Sequence, residues 1–175
     1  MNIDYGTVLL RAIEEGDMDF CREMINNPGM ETSTVGKHFP ISSAQQIAWF
    51  QEQNTEHTLR WIIDVKQIGP IGMVSMTDID WINRTAEVGI KMIHSKDRTA
   101  QNTDDTAKGL IQYAFDELNL HCLYAQVLDD NLLSRKLMRQ LRFHEDGILR
   151  ARVYKRGCYH DLVQYSLLAE EYHTW

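Results

Sequence analysis

The stretch over residues 86–128 constrains this chain more than any other. An apolar run, Ala86-Glu87-Val88-Gly89-Ile90-Lys91-Met92-Ile93, reads as a strand. A polar loop over 94–103 follows without a single glycine, then a helix over 104–118 and a second apolar strand over 122–128. A strand that delivers the chain to a helix N-terminus leaves several backbone N–H groups without intrahelical partners, at the positive end of the helix dipole. That geometry binds phosphate.

The rest of the chain supplies elements around this unit. Residues 8–13 read as a strand, and Asp17 is a candidate N-cap for a helix over 18–26 whose apolar stripe is Met18, Cys21 and Ile25. Asn26-Asn27-Pro28-Gly29 ends it, and 30–41, with no clear period, reads as a surface loop. Ser42 or Ser43 caps a second helix running to Gln53. Strands over 60–66 and 70–78, joined by Gln67-Ile68-Gly69, read as a hairpin, and 80–84 connects it to the opening strand. Three successive antiparallel strands therefore end at the polar loop. Beyond residue 128, Asp129-Asp130-Asn131 breaks the chain, and 134–141 reads as a helix with Leu133, Leu137 and Leu141 along one face. A hairpin over 147–154 and 159–167 and a short tail over 168–175 complete the reading.

Size and composition narrow the function classes. The 175 residues fit one domain, 1–175, and 43% hydrophobic with 25% charged residues argues against disorder. No apolar run approaches the roughly 20 residues that cross a bilayer, and residues 1–5 lack the pattern of a secretory signal, so the cytoplasm is the expected compartment and no membrane partner is expected. Three scattered cysteines suit a reducing environment, and seven dispersed histidines without helical zinc spacing suggest no metal. A net charge of −7 argues against nucleic acid as a partner and is compatible with a cationic amine.

The order strand, helix, helix, three strands, helix, strand, helix, two strands resembles the GNAT acyltransferase superfamily. Thr85-Ala86-Glu87-Val88-Gly89-Ile90 is similar to that family's fourth strand, and Tyr113-Ala114-Phe115 with Leu118-Asn119-Leu120 to its central helix and exit. Val127-Leu128-Asp129-Asp130-Asn131, then Leu137, Leu141, Phe143 and Glu145-Asp146-Gly147, is similar to its last helix and the following strand. Gly157, Tyr159, Asp161 and Tyr165-Ser166-Leu167-Leu168 match the branch that includes ribosomal-protein, spermidine and amino-sugar acetyltransferases.

The resemblance implies an α/β fold of the acyl-CoA N-acyltransferase type: a central, mostly antiparallel sheet with one splayed parallel strand pair and flanking helices. It implies acetyl transfer from acetyl-CoA to a primary amine by direct attack, with no metal. The two parallel strands should splay so that the first presents its backbone to the pantetheine arm, helped by a bulge near Met92. On this resemblance Glu87 is the catalytic base, and the cofactor contacts are Met92, Ile93, His94, Arg98, Thr99, Ala100, Gln101, Asn102, Thr103 and Asn131. The acceptor reads as a small-molecule amine, with a nucleotide-linked amino sugar ahead of a polyamine or a protein N-terminus. The resemblance extends to a homodimer.

Several residues depart from the family pattern. The pyrophosphate loop, usually Q/R-x-x-G-x-G/A, is here Arg98-Thr99-Ala100-Gln101-Asn102-Thr103, with neither glycine, and Asp104 and Asp105 follow where an anion should rest. Met138 stands where many members carry a Tyr that protonates the departing thiolate, leaving Tyr124 or Tyr113 as other acids. Arg142 replaces the Gly before Phe143. These departures leave open a catalytically weakened or inactive binding or regulatory protein on the same fold. Each site residue also has a plainer role: Glu87 as a solvent-facing strand residue, Asn131 as a turn residue, and residues 98–103 as a polar helix cap. Trp49, Trp61 and Trp81 read as packing, and Asp78 and Asp80 as a solvated connection or an attraction for a cationic acceptor.

Overall fold

In the computed structural model, which describes residues 1–36, 39–93 and 99–174, eight strands form one sheet. They are β1 (Ile3–Tyr5), β2 (Val8–Arg11), β3 (Leu59–Val65), β4 (Gly69–Asp80), β5 (Thr85–Met92), β6 (Cys122–Leu128), β7 (His144–Lys155) and β8 (Cys158–Leu168), in the order β1-β2-β3-β4-β5-β6-β8-β7. Every neighbouring pair is antiparallel except β5 and β6. The helices are α1 (Met18–Asn26), α2 (Pro28–Ser33), α3 (Ser43–Glu52), α4 (Ala100–Gln112), α5 (Leu132–Gln140) and α6 (Ala169–Tyr172). No helix of the described residues is long and apolar enough to cross a membrane.

The β5–β6 pair is parallel because α4 carries the chain across the sheet between them, a connection that antiparallel neighbours do not need. Thr103, Thr106, Ala107, Leu110, Ile111 and Ala114 recur at helical spacing and are all buried, so one stripe of α4 faces the sheet. It packs there on Trp61, Ile63, Val74, Met76 and Ala86. Burying a side chain such as Leu110 contributes about 1.5–3 kcal/mol. The opposite face carries a smaller cluster in which Met18, Cys21, Met24 and Met30 cover Ile62 and Met73. Alternation along the strands divides them between these layers: Ala86, Val88, Ile90 and Met92 face α4, and Glu87, Gly89 and Lys91 face the α1–α3 side.

The structure corrects the sequence reading at several points. β1 is a strand of its own, paired with β2, and a segment of the surface loop after residue 29 is the helix α2, opened by Asn27 accepting from Gly29 N–H and by Pro28 at its first position. Asp17 does not cap α1; a 3-10 turn over Glu15–Asp17 precedes it, and the Asp17 carboxylate pairs with Arg11 at 2.8 Å. Ser42, by contrast, caps α3 with a reciprocal box through Gln45. Among the described residues no bulge lies near Met92, because the β4–β5 register runs unbroken from Gly72↔Met92 to Thr77↔Glu87 and is interrupted only between Thr77 and Asp80. The largest change is at α4. It begins at Ala100, four positions before the sequence reading, so residues 100–103 are the first helical turn rather than loop.

Candidate active site

β5 and β6 pair only at Thr85↔Cys122, Ala86↔Leu123 and Glu87↔Tyr124. Beyond that rung they separate, and a cleft of about 440 Å³ opens between them. On the β5 side of the fork, Ile93 donates its N–H to Ile71 O at 3.1 Å, so its backbone is turned into the sheet. The Ile93 N–H, one of the backbone groups expected to face the cofactor, is therefore engaged within the sheet. Alternation then turns the backbone groups of Val88, Ile90 and Met92 toward the open edge. Ala107, Leu110 and Ile111 of α4 and Leu137, Met138 and Leu141 line the cleft from the other side.

The N-terminus of α4 closes one end. Thr99 is its N-cap, with Oγ1 accepting the Asn102 N–H at 3.0 Å and the carbonyl accepting from Thr103 N–H at 3.1 Å. Among the described residues the N–H groups of Ala100 and Gln101 have no partner. They are the donors such a terminus offers an anion, and at these positions no glycine is needed because the backbone is ordinary right-handed helix.

The side chains of this turn are arranged differently from the sequence reading. Asn102 is 5% exposed and its Oδ1 accepts from Thr7 Oγ1 at 2.7 Å, so its side chain reaches the buried face of the helix. Gln101 Nε2 donates to Asp105 Oδ1 at 2.7 Å. Thr103 lines the cleft, with Oγ1 donating to Thr99 O at 2.9 Å. Asp104 pairs with Lys108 at 2.7 Å, and Asp105 accepts from Thr7, so neither acid stands in the first turn against an incoming anion. His94 and Arg98 lie outside the described residues.

Glu87 sits at the fork, half-buried and lining the cleft, with no hydrogen-bond partner among the described residues. Burial, and after it the charge of Asp78, pushes its carboxyl above the ordinary carboxylate range. Asp78 is close because the β4 irregularity falls there, with the Asp78 backbone at φ +49°. Tyr124 stands beside Glu87 across the parallel pair, and burial followed by the charges of Asp78 and Glu87 raises its phenol. Tyr113 is elsewhere, packed edge-on against Trp61 at 5.7 Å. Asn131 lines the cleft and caps α5, accepting the Ser134 N–H at 3.1 Å. Met138 is 8% exposed and lines the same wall. Arg142 takes the left-handed conformation itself, φ +57°, and donates its N–H to Arg139 O while Phe143 donates to Met138 O. The glycine-type helix end is thus kept without glycine.

Two features escaped the sequence reading. Arg60 on β3 and Lys91 on β5 meet on the α1–α3 side of the cleft. Asp129, Asp130 and His160, separated in the chain, bring ligand-type atoms within 4.8 Å of one another at the end of β6. Residue spacing could signal neither, since each depends on sheet pairing.

Residues 7–144 match the family described as Acetyltransferase (GNAT) domain. The chain belongs to this family. Among curated GNAT relatives, spermidine N(1)-acetyltransferase of Vibrio cholerae serotype O1 is 26% identical over 165 residues, 93% of this chain and 94% of that protein. A provisionally named ribosomal N-acetyltransferase of Bacillus subtilis (strain 168) is 37% identical over 101 residues, 58% of this chain and only 55% of that protein. Among solved structures, spermidine N-acetyltransferase from Vibrio cholerae in complex with CoA and spermine superposes with a TM-score of 0.87 at 24% identity, covering 95% of this chain and 98% of that one. A dodecameric structure of the Vibrio cholerae enzyme gives 0.81 over 95% and 96%. These likenesses bear out the mixed sheet with its splayed parallel pair. The protein is an acetyl-CoA-dependent N-acetyltransferase. The reading of the fold as an inactive binding protein gains nothing from relatives that are named as acetyltransferases.

Proposed function

We propose that this GNAT domain moves the acetyl group of acetyl-CoA to a primary amine of a small-molecule acceptor, by direct attack within the cleft between β5 and β6, with Glu87 as general base. The observation that carries the reading is the fork itself. The strands diverge just beyond the rung that holds Glu87, and the N-terminus of α4 stands over the same opening.

When bound, acetyl-CoA supplies a thioester whose acetyl carbon is electrophilic. The chain's own groups do the rest. The open backbone edge at Val88, Ile90 and Met92 aligns the pantetheine arm, and the N–H groups of Ala100 and Gln101 receive phosphate oxygens, with Thr99 and Thr103 shaping the turn. Asn131 borders the same wall. Glu87 takes a proton from the acceptor ammonium, directly or through water, so that the neutral amine can attack, and its raised affinity for protons matches that task. Methionine at 138 has no proton to give, so the thiolate, which is stable near its own pKa, is protonated from solvent or from Tyr124.

The names of these two relatives divide between spermidine and a ribosomal acceptor, and neither name points to the nucleotide-linked amino sugar put first in the sequence reading. The cytoplasm and a homodimer belong to the same reading. Thermal unfolding with acetyl-CoA tests it. Ligand at 100 times its dissociation constant should add about 2.7 kcal/mol, a rise of about 5–10 °C in Tm for a chain of this size. Free-thiol release with an amine panel then reports transfer. No shift at saturating acetyl-CoA, or no thiol release with any amine, overturns the proposal.

A further inference from the structure

The acceptor side of the cleft carries charge of opposite sign at its two ends. Glu87 and Asp78 mark one end. Arg60 and Lys91 mark the other, where this cleft meets a second one of about 330 Å³ that both residues also line. Sheet register explains why they converge. Arg60 pairs with Ser75, which pairs with Gly89, while Met73 pairs with Lys91 one rung further on, and all of these face the α1–α3 side. Lys91 lies four positions beyond Glu87 on the same face of β5, about 13 Å along the strand.

Among the described residues no acid balances the two cations. The Arg60 guanidinium lies 5.6 Å from the centre of the Trp49 ring and donates to the carbonyl of Gln53, both neutral partners. Lys91 has no hydrogen-bond or ion-pair partner among the described residues. Burial lowers the proton affinity of both, and for Lys91 the further influences are two more cations, Arg60 and Lys155. The second cleft beyond them is lined by Met24, Met30, Ile41 and Trp49, with Gln45 and Gln46 as polar groups and no carboxylate among the described residues. Half-buried cations facing an open cleft with no counter-charge are stabilised by a ligand that brings one.

We propose that the acceptor is a primary amine that also bears an anionic group, a carboxylate or a phosphate, held by Arg60 and Lys91 while the amine is held at Glu87. This rests on the acetyl-transfer reading for the position of the amine. A polyamine extended along the same path would set its second ammonium against Arg60 and Lys91, so the cleft selects against the acceptor for which the Vibrio relative is named.

The experiment measures kcat/KM by free-thiol release with 3-aminopropyl phosphate, 5-aminopentanoate and spermidine, together with calorimetric binding of each to protein saturated with CoA, which keeps phosphate out of the cofactor site. An anionic amine should exceed spermidine at least tenfold, and the better of the two identifies phosphate or carboxylate as the group read. Lys91→Met should lower that ratio tenfold or more, chiefly through KM, while Lys91→Arg keeps it; an unaltered response of Tm to acetyl-CoA certifies the fold of both variants. Preference for spermidine, or a ratio unmoved by Lys91→Met, overturns the proposal. Binding of an anionic amine that Lys91→Met weakens, without thiol release from any amine, would overturn acetyl transfer and uphold the anion subsite. Absence of anionic-amine binding overturns the subsite, whatever the thiol assay shows.

Discussion

Asp105 Oδ2 accepts from both the amide N–H and the hydroxyl of Thr7, each at 2.8 Å, and so ties the second turn of α4 to the β1–β2 turn 98 positions earlier. Asn102 Oδ1, one turn back, lies 2.7 Å from the same hydroxyl, so the single Thr7 hydroxyl proton is shared between the two acceptors. The turn comes this close because Gly6 precedes Thr7. A Cβ there would lie 2.3 Å from Asp105 Oδ2, and the Gly6 backbone sits at φ +54°. Gly109 serves the same contact further along α4, where a Cβ would lie 2.9 Å from that of Tyr5. The helix that borders the cleft between β5 and β6 is therefore held in place by the N-terminal hairpin.

Asp105→Ala should cost about 2–3 kcal/mol, because it strands a Thr7 N–H that the carboxylate now satisfies, and should lower Tm by about 5–10 °C. Burial opposes the charge of Asp105, but the Thr7 N–H and hydroxyl and Gln101 outweigh it and hold its carboxyl below the ordinary range. Its folded pKa is thus depressed, so its contribution is present above the unfolded pKa of about 4 and is lost as pH falls through the folded pKa. The gap between wild type and Asp105→Ala in chemical denaturation should narrow below that pH. Gly6→Ala should also destabilise, by more than about 1 kcal/mol, from strain and overlap together.

Glu87→Gln should reduce kcat/KM by about 100-fold at neutral pH. The deficit should shrink as pH rises past the pKa of the acceptor amine, since the amine is then already neutral. Asp78→Asn removes the charge that helps hold the Glu87 carboxyl high. Its acid limb in the pH profile of kcat/KM should therefore move to lower pH. An acid limb that stays in place in both variants would take the base role away from Glu87.

Thr99→Ala should cost about 1 kcal/mol through loss of the α4 cap, and Thr99→Ser should recover most of it. If the Ala100 and Gln101 N–H groups receive phosphate, the same Thr99→Ala change weakens acetyl-CoA binding in calorimetry, because the turn that aims them frays.

Arg142→Gly should raise stability by about 0.5–1 kcal/mol, since glycine removes the left-handed strain at φ +57° and returns only a fraction of it as unfolded-chain entropy. Thermal unfolding reads this directly. A drop in Tm would mean that the Arg142 side chain contributes packing that outweighs its backbone strain.

By itself the sequence determined the features that are local in origin. The strand over 122–128 appears as β6 at the same residues, Ser42, one of the two serines offered as the cap of α3, is the one that caps it, and the apolar stripe of the central helix faces the sheet. Period and capping are properties of neighbours in the chain, and the family pattern that runs through them pointed to the right fold. Only the tertiary structure decided where α4 begins. Asn102 and Asp105 are polar residues on its buried face, and the partner that makes their burial favourable, Thr7, is almost a hundred positions away. The same holds for the cleft. That Glu87 stands at a fork, that Ile93 turns its N–H into the sheet, and that Arg60 and Lys91 converge with no acid between them among the described residues all follow from strand register, which pairs residues by the geometry of the whole sheet and leaves no local mark in the chain.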